Sequence, residues 1–303
     1  MTVELAIKVD VDTDRGTRIG VPNMLRLFDA LGVKATFLFS LGPDNTGRAI
    51  KRIFRPGFFQ KVQRTSVVSV YGIRTLLNGV LLPGPHIGKR NAAVMRATRD
   101  AGHEVGIHCY DHIRWQDGLA HMTRAEVFAE VEKARAEFQR IFGEPARTAG
   151  AAGWQANALS LEAYDAAGFD YASDARGTSP FRPRAAARVF KTPQIPTTLP
   201  TLDELLGRPE YPDDKLIDHY LSLLRSDRPN VLTVHAEIEG MAKLDWFEEF
   251  LKRASEKANF VRTGDIARRL RADDQTVKVC DLIDASVDGR SGTLAVQATV
   301  ERP

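Results

Sequence analysis

Short apolar segments alternate with amphipathic segments along most of the chain, and this alternation restricts the possible folds more than any other feature. Residues 3–11 and 33–40 are rich in the side chains that favour strands, and residues 21–31 form an amphipathic helical pattern between them. Repeated strand and helix units predict a parallel sheet, and we expect it to close into a barrel. Further strands are predicted at residues 103–107, 146–149, 169–173, 188–195, 231–235 and 259–261, and further helices at 123–142 and 245–257.

Length and composition allow one large hydrophobic core. The chain has 303 residues, of which 43% are hydrophobic, and this is enough for a single domain. We expect residues 1–270 to form that domain. The polar residues 271–303 are expected to be a C-terminal extension outside the catalytic core.

Several features bear on the cellular compartment. Cys109 and Cys280 are the only cysteines, too few for a disulfide framework, and they favour a reducing compartment. No secretory signal precedes the first strand pattern, and no apolar run reaches the roughly eighteen residues of a membrane span. We therefore expect the protein to reside in the cytoplasm.

Two acidic side chains and two histidines follow predicted strands. Asp10 and Asp12 end the first strand and, being two positions apart, are expected on one face of it; solvated acids at an exposed strand end are the alternative. His108 and His112 follow the third strand at a spacing that places both rings on one side of a helical turn, although core or surface histidines also occur at this spacing. One carboxylate and two imidazoles are a ligand set typical of zinc or a similar divalent ion. The combination favours a metal-dependent hydrolase, with the second aspartate free to handle a proton.

Other polar or aromatic residues lie where later strands end. His235 ends an apolar strand, where an imidazole could act as a general acid or have a structural role. Trp154 ends a run of small residues, which would let a ligand approach the backbone or would simply form a tight turn. Asp174 and Arg176 also follow a strand and could serve a site or form a surface ion pair.

Charge is distributed unevenly along the chain. The net charge is +3, but residues 45–99 contain eleven Lys or Arg and no Asp or Glu, so the rest of the chain is acidic overall. Large apolar side chains alternate with these cations, and we expect a basic amphipathic helical insert at about residues 45–90 that lies on an anionic membrane surface. An ordinary helical hairpin packed on the domain is the alternative. Nucleic-acid binding is not expected, because the apolar content exceeds what phosphate contacts need.

The order of these motifs resembles the polysaccharide deacetylases with the NodB homology domain. The matching features are Asp-x-Asp after the first strand, Ala-Thr-Phe at residues 35–37, His-x-x-x-His after the third strand and Leu-x-Val-His near the end. The resemblance covers roughly residues 3–270 and implies an α/β fold of the irregular (β/α) barrel type with one divalent metal ion, which could be zinc, manganese or cobalt. It implies three metal ligands, a catalytic base and a catalytic acid: Asp12, His108 and His112 for the metal, Asp10 for the base and His235 for the acid.

Longer strings resemble one subgroup of that family, the deformylases of 4-deoxy-4-formamido-L-arabinose linked to undecaprenyl phosphate. These strings lie at residues 9–18, 42–48, 173–177, 194–201 and 235–240. The likeness implies release of formate from this polyprenyl-phosphate-linked sugar in lipid A aminoarabinose modification, a step linked to polymyxin resistance. The enzyme would be peripheral on the inner face of the inner membrane. Its expected substrate-binding residues are Asn45, Arg48, Trp154, Asp174, Arg176 and Glu237.

One stretch departs from the family pattern. Members that deacetylate polysaccharides usually carry an Arg that holds the carboxylate of the base, whereas the corresponding residues 149–154 contain no Arg. We expect Arg176 to take that role through Asp174. The alternatives to a deformylase are a deacetylase of another N-acylated glycan and a non-catalytic sugar-lipid binding protein, but a binder has no need of an acid and a base together.

Overall fold

The computed structural model describes residues 3–49, 75, 77–272 and 277–298. Parallel strands at its centre form a seven-stranded sheet, and a smaller sheet lies beside it. The strands in chain order are β1 (Val3–Val11), β2 (Thr36–Ser40), β3 (Glu104–Cys109), β4 (Thr148–Ala149), β5 (Tyr171–Ala172), β6 (Arg182–Ala185), β7 (Arg188–Val189), β8 (Asn230–His235), β9 (Ala258–Val261), β10 (Val279–Ala285) and β11 (Leu294–Gln297).

Helices cover the outer face of the large sheet. Most of them connect one parallel strand to the next, as parallel pairing requires. They are α1 (Val21–Leu31), α2 (Ile87–Asp100), α3 (His112–Gly118), α4 (Arg124–Phe142), α5 (Ala158–Ala167), α6 (Leu202–Leu205), α7 (Leu216–Leu223), α8 (Leu244–Ser255) and α9 (Thr263–Ala272). The predicted helix at 123–142 is confirmed, because Thr123 and Glu126 form a capping box at its start and Gly143 ends it with a φ of 75°.

The large sheet runs in the order β5-β4-β3-β2-β1-β8, with β9 paired to β1. An extended segment, residues 193–199, crosses from one edge of this sheet to the other. The amide of Ile195 donates to the carbonyl of Ala172 in β5, and the amides of Thr198 and Leu199 donate to the carbonyl of Val231 in β8. The predicted irregular barrel is therefore confirmed, and its closure is made by an extended segment rather than by a regular strand.

Both faces of β1 are buried, and this determines where the site lies. Leu5, Ile7, Val9 and Val11 pack into the main core beneath the helices. The opposite face begins with Ala6, which packs against the interior cluster of Tyr171, Ile195 and Val231. Because strand side chains alternate, Lys8, Asp10 and Asp12 follow Ala6 on this interior face toward the carboxyl end of the strand.

Several sequence-based boundaries change in the structure. The predicted strand at 188–195 is wrong as one element, since regular pairing covers only Arg188–Val189 and residues 193–195 belong to the closing segment. Of the expected basic insert at 45–90, residues 50–74 and 76 lie outside the described residues, and its last residues begin helix α2. Among the described residues, no helix has both the length and the apolar content to cross a bilayer.

Residues 277–298 pack on the domain instead of standing apart from it. β10 pairs with β6, and β11 pairs with β10 to form the edge of the smaller sheet. The amide of Arg176 donates to the carbonyl of Ala295, and the amide of Gln297 donates back to the carbonyl of Arg176. This differs from the expected extension outside the catalytic core, because hydrogen bonding at the edge of a sheet is not visible as a local pattern.

Candidate active site

Asp12, His108 and His112 meet at the carboxyl end of the sheet. Oδ1 of Asp12 lies 3.2 Å from Nε2 of His108 and 3.4 Å from Nε2 of His112, and all three ligand atoms lie within 4.8 Å of one another. Among the described residues, Oδ1 of Asp12 is buried without a hydrogen-bond partner. Nδ1 of His108 donates to the carbonyl of Gly150 at 2.7 Å, which leaves Nε2 of His108 unprotonated and able to ligate. These residues fit a divalent metal ion.

Local structure explains how the two histidines converge. The spacing predicted one helical turn, and this is wrong: His108 lies in β3, whereas His112 is the first residue of α3. The side chain of Asp111 caps that helix by accepting from the amide of Arg114. Asn45 donates from Nδ2 to the other oxygen of Asp111 at 2.6 Å, so this predicted substrate-binding residue lies next to His112.

Electrostatic interactions shift the pKa values of Asp12 and His108 in this cluster. Burial would raise the pKa of Asp12, but His112 and His108 hold it well below its usual value. Burial would lower the pKa of His108, but Asp10 and Asp12 raise it. Cys109, between the histidines, is buried beside the hydroxyl of Ser40, and burial raises the pKa of its thiol well above its usual value. Cys109 is therefore an uncharged core residue rather than a thiolate ligand.

Asp10 and His235 lie side by side on two neighbouring strands. Asp10 of β1 and His235 of β8 are paired in register, and the amide of Ala236 donates to the carbonyl of Asp10 at 3.1 Å. Oδ1 of Asp10 and Nδ1 of His235 are both buried, and neither has a hydrogen-bond partner in the part of the chain that the structure describes. An acid and a base can therefore act from neighbouring strands at one end of the sheet.

Lys8 is the partner of the Asp10 carboxylate. Its Nζ lies 3.2 Å from Oδ2 of Asp10, and its side chain is fully buried. Sequence reasoning missed this residue, although the signal was available: a lysine two positions before Asp10 in an apolar strand must share its face.

Glu237 lies behind the metal site. Its Oε1 accepts from the amide of Asp12 at 3.1 Å, from the amide of Thr13 at 2.9 Å and from the Thr13 hydroxyl at 2.7 Å. Burial and the charge of Asp12 raise the pKa of Glu237 well above its usual value. Oε1 of Glu237 therefore holds the loop that carries Asp12, instead of making the predicted contact with a substrate.

Glu239, which sequence reasoning also missed, supports the strand end that carries His235. Its Oε2 accepts from the backbone amide of His235 at 2.8 Å. Burial raises the pKa of Glu239 to about 8. This carboxyl therefore helps to fix the backbone position of His235.

The expected link between Arg176 and Asp174 is wrong. Both oxygens of Asp174 are occupied, Oδ1 by the amide of Ala151 and Oδ2 by the amide nitrogen of Gln194, each at 2.7 Å. Asp174 is completely buried, and burial raises its pKa to about 6, so it supports the loop before Trp154 instead of contacting a substrate. Arg176 pairs with Glu204 at 2.5 Å.

Trp154 is surrounded by cations. The centroid of its ring lies 4.3 Å from Arg290, 5.3 Å from Lys8 and 5.5 Å from Arg176. The indole Nε1 donates to the hydroxyl of Thr197 at 3.1 Å. Arg290 comes from the C-terminal extension, and no local pattern could have placed it here, because its partner Glu204 lies far away in sequence.

Arg48 marks the outer side of the site. It is exposed, and its Nε donates to the carbonyl of Gly79 at 3.0 Å. The three residues after Gly79 form an exposed apolar turn, in which Val80 is 52%, Leu81 74% and Leu82 41% exposed. Arg48 thus joins the segment that contains Asn45 to an apolar surface.

Comparisons with known proteins agree with this architecture. The polysaccharide deacetylase family model matches residues 11–172. The "probable 4-deoxy-4-formamido-L-arabinose-phosphoundecaprenol deformylase" of Shewanella sediminis (strain HAW-EB3) is 38% identical over 297 residues, which cover 98% of this chain and 95% of that protein. The protein of the same description from Wigglesworthia glossinidia brevipalpis is 32% identical over 290 residues, with coverage of 94% and 99%.

The fold also has a counterpart of known structure. A crystal structure of a "putative polysaccharide deacetylase" from Mycobacterium smegmatis superposes with a TM-score of 0.61 and covers 91% of this chain and 92% of that one. At 16% identity this similarity shows the fold alone. The curled parallel sheet with its outer helices is therefore shared across distant sequences.

Proposed function

The chain belongs to the polysaccharide deacetylase family and is a hydrolase of amide C–N bonds, and from this premise we propose that it removes the formyl group from 4-deoxy-4-formamido-L-arabinose linked to undecaprenyl phosphate. The products are formate and the amino-sugar lipid. Sequence identity of 38% along nearly the whole chain to a protein described as that deformylase supports the substrate. The observation that carries the chemistry is the convergence of Asp10, His235 and the Asp12–His108–His112 cluster at one end of the sheet.

In this proposal Asp12, His108 and His112 hold one divalent metal ion. The ion, when bound, would acidify water and polarise the formyl carbonyl. Zinc, manganese and cobalt all suit a ligand set of one carboxylate and two imidazoles.

The remaining steps use side chains of the chain itself. Asp10, whose Oδ1 has no hydrogen-bond partner among the described residues, accepts the proton of the attacking water, and His235 protonates the departing sugar nitrogen. Their adjacent positions on β1 and β8 allow one amide group to be reached by both. This arrangement needs no protein nucleophile.

The lipid part of the substrate calls for a membrane-facing surface. Val80, Leu81 and Leu82 form an exposed turn, and Arg48 donates to the carbonyl of Gly79 just before it. Arg48 belongs to the same segment as Asn45. Asn45 donates to Asp111, the capping residue beside His112. Apolar side chains next to a cation are suited to the boundary between head groups and acyl chains. We assign this turn to the inner face of the inner membrane, in the lipid A aminoarabinose pathway that the substrate implies.

The decisive experiment is an assay of the purified protein on the formamido-arabinose lipid with and without chelator. Formate release that stops with chelator and returns with zinc, manganese or cobalt is expected. Acetate release from N-acetylated glycans without activity on the formamido sugar would replace the proposal with a deacetylase. Binding of the sugar lipid with no turnover under any metal would instead indicate a non-catalytic binding protein.

A further inference from the structure

Lys8 is a lysine in the buried part of β1, from Leu5 to Val11. Neither the main core nor the interior cluster of apolar residues accounts for it, because a buried ammonium group is unfavourable unless it is paired. Three groups surround its Nζ: Oδ2 of Asp10 at 3.2 Å, the carbonyl oxygen of Ser173 at 3.3 Å, and the ring of Trp154 with its centroid at 5.3 Å. All three interact favourably with a cation.

We propose that Lys8 is a positioning residue for the catalytic base. It compensates the charge of Asp10 and holds Oδ2, so that Oδ1 is the oxygen that accepts the proton. This inference rests on the proposed function, in which Asp10 is the base.

The unequal state of the two oxygens supports this assignment. Oδ2 of Asp10 contacts the ammonium group, whereas Oδ1 is buried and has no hydrogen-bond partner within the described part of the chain. An ionised carboxylate accepts hydrogen bonds at both oxygens, so a buried oxygen without a partner points to a missing one. The attacking water is that partner in the proposed reaction.

The sheet makes the contact rigid. Lys8 and Asp10 lie two positions apart on β1, and Lys8 is paired in register with Thr36 on one side and with Thr233 on the other. A site built on paired strands holds its geometry more precisely than one built on loops. The ammonium group can therefore fix the carboxylate without help from the substrate.

The small residues before Trp154 pack closely beside this lysine. A Cβ atom at Gly150 would lie 2.5 Å from Cδ1 of Leu38, 3.0 Å from the carbonyl oxygen of Ser173 and 3.7 Å from Nζ of Lys8. Trp154 has a φ of 52°, a conformation that non-glycine residues rarely adopt and that persists only where the surroundings fix it. The loop is therefore tightly packed against Leu38 and Ser173, next to the lysine.

The test compares Lys8→Met in two backgrounds, the natural chain and Asp10→Asn. In the natural chain, Lys8→Met is expected to lower kcat for formate release by about 10- to 100-fold with KM nearly unchanged. In the Asp10→Asn background it should lower the residual kcat by less than about twofold, because the group that it positions is gone. Lys252→Met, which removes an exposed lysine that pairs with Glu248, is the matched control.

Two results would overturn the inference. One is an equal loss of kcat in both backgrounds, since a purely structural lysine acts regardless of Asp10. The other is wild-type kcat in Lys8→Met.

An unfolding measurement tests the pairing without the assay. Lys8→Met should lower the melting temperature because Asp10 is then buried without its cation, and adding Asp10→Asn should restore part of the loss. Additive losses would refute the pairing. If the natural protein released no formate from the formamido lipid, the proposed function would fail, while this cycle would still decide whether Lys8 and Asp10 act as a pair.

Discussion

Replacing Glu237 by alanine should weaken metal binding although Glu237 is not a ligand. Its Oε1 accepts three hydrogen bonds, two from backbone amides and one from a hydroxyl, all on the loop of Asp12 and Thr13. At about 1 kcal/mol net for each hydrogen bond, their loss should lower the free energy of unfolding by about 3 kcal/mol. Because the same loop presents Asp12, metal affinity should fall by about 10- to 100-fold.

Calorimetric zinc titration and urea unfolding measure the two effects on the same samples. Glu237→Gln keeps an acceptor oxygen at this position and should stay close to the natural protein in both. Gly16→Ala should reproduce the loss of metal affinity, because its Cβ would lie 1.9 Å from Oε1 of Glu237 and displace it. Glu248→Ala, at an exposed glutamate, is the matched control. Zinc affinity in Glu237→Ala equal to that of the natural protein would refute the argument that the loop positions Asp12.

Two further predictions concern stability. Burial lowers the pKa of His103 to about 4, so only the unfolded chain takes up this proton as the pH falls from about 6.5 to about 4. The free energy of unfolding is therefore unaffected by His103 above pH 6.5 and falls by up to about 3 kcal/mol toward pH 4. Urea unfolding at several pH values should show a smaller decline in His103→Gln than in the natural protein. An equal decline in both proteins would contradict this prediction. Gly20→Ala should unfold the protein at a much lower temperature than Gly32→Ala, because a Cβ at Gly20 would lie 2.0 Å from the backbone oxygen of Ala236. Alanine at Gly32 meets no described atom within 4 Å and has only the backbone strain of a φ of 64°. Equal melting temperatures of the two variants would show that Ala236 can move at no more than the cost of that strain.

The sequence could predict those parts of the site that depend on local patterns. Asp10 and Asp12 share a strand face by periodicity alone, and a histidine at the end of β8 lies near them because parallel strands end at the same edge. The position of His112 was predicted for the wrong reason, since the turn at Asp111, and not a continuous helix, brings its ring to His108.

Contacts between distant segments could not be predicted. Arg176 was assigned to Asp174 because the two are close in sequence, but its partner Glu204 also binds Arg290, so one buried carboxylate joins three separate segments. Likewise, residues 193–199 close the barrel through hydrogen bonds to Ala172 and Val231, and such pairing leaves no periodic signal in the chain.

Asp10 in β1 and Asp12 just after it have different electrostatic partners, and this difference supports the two roles proposed for them. Asp12 faces the imidazoles of His108 and His112. In their neutral form these rings can ligate a metal ion together with Oδ1 of Asp12. Asp10 faces the ammonium group of Lys8, which lies 3.2 Å from Oδ2 and repels a second cation from that carboxylate. In the proposed mechanism this difference would direct a metal ion to Asp12 and leave Asp10 one oxygen for proton transfer. The roles proposed for Asp10 and Asp12 therefore depend on the side chains that each one faces, since the two residues are themselves chemically identical.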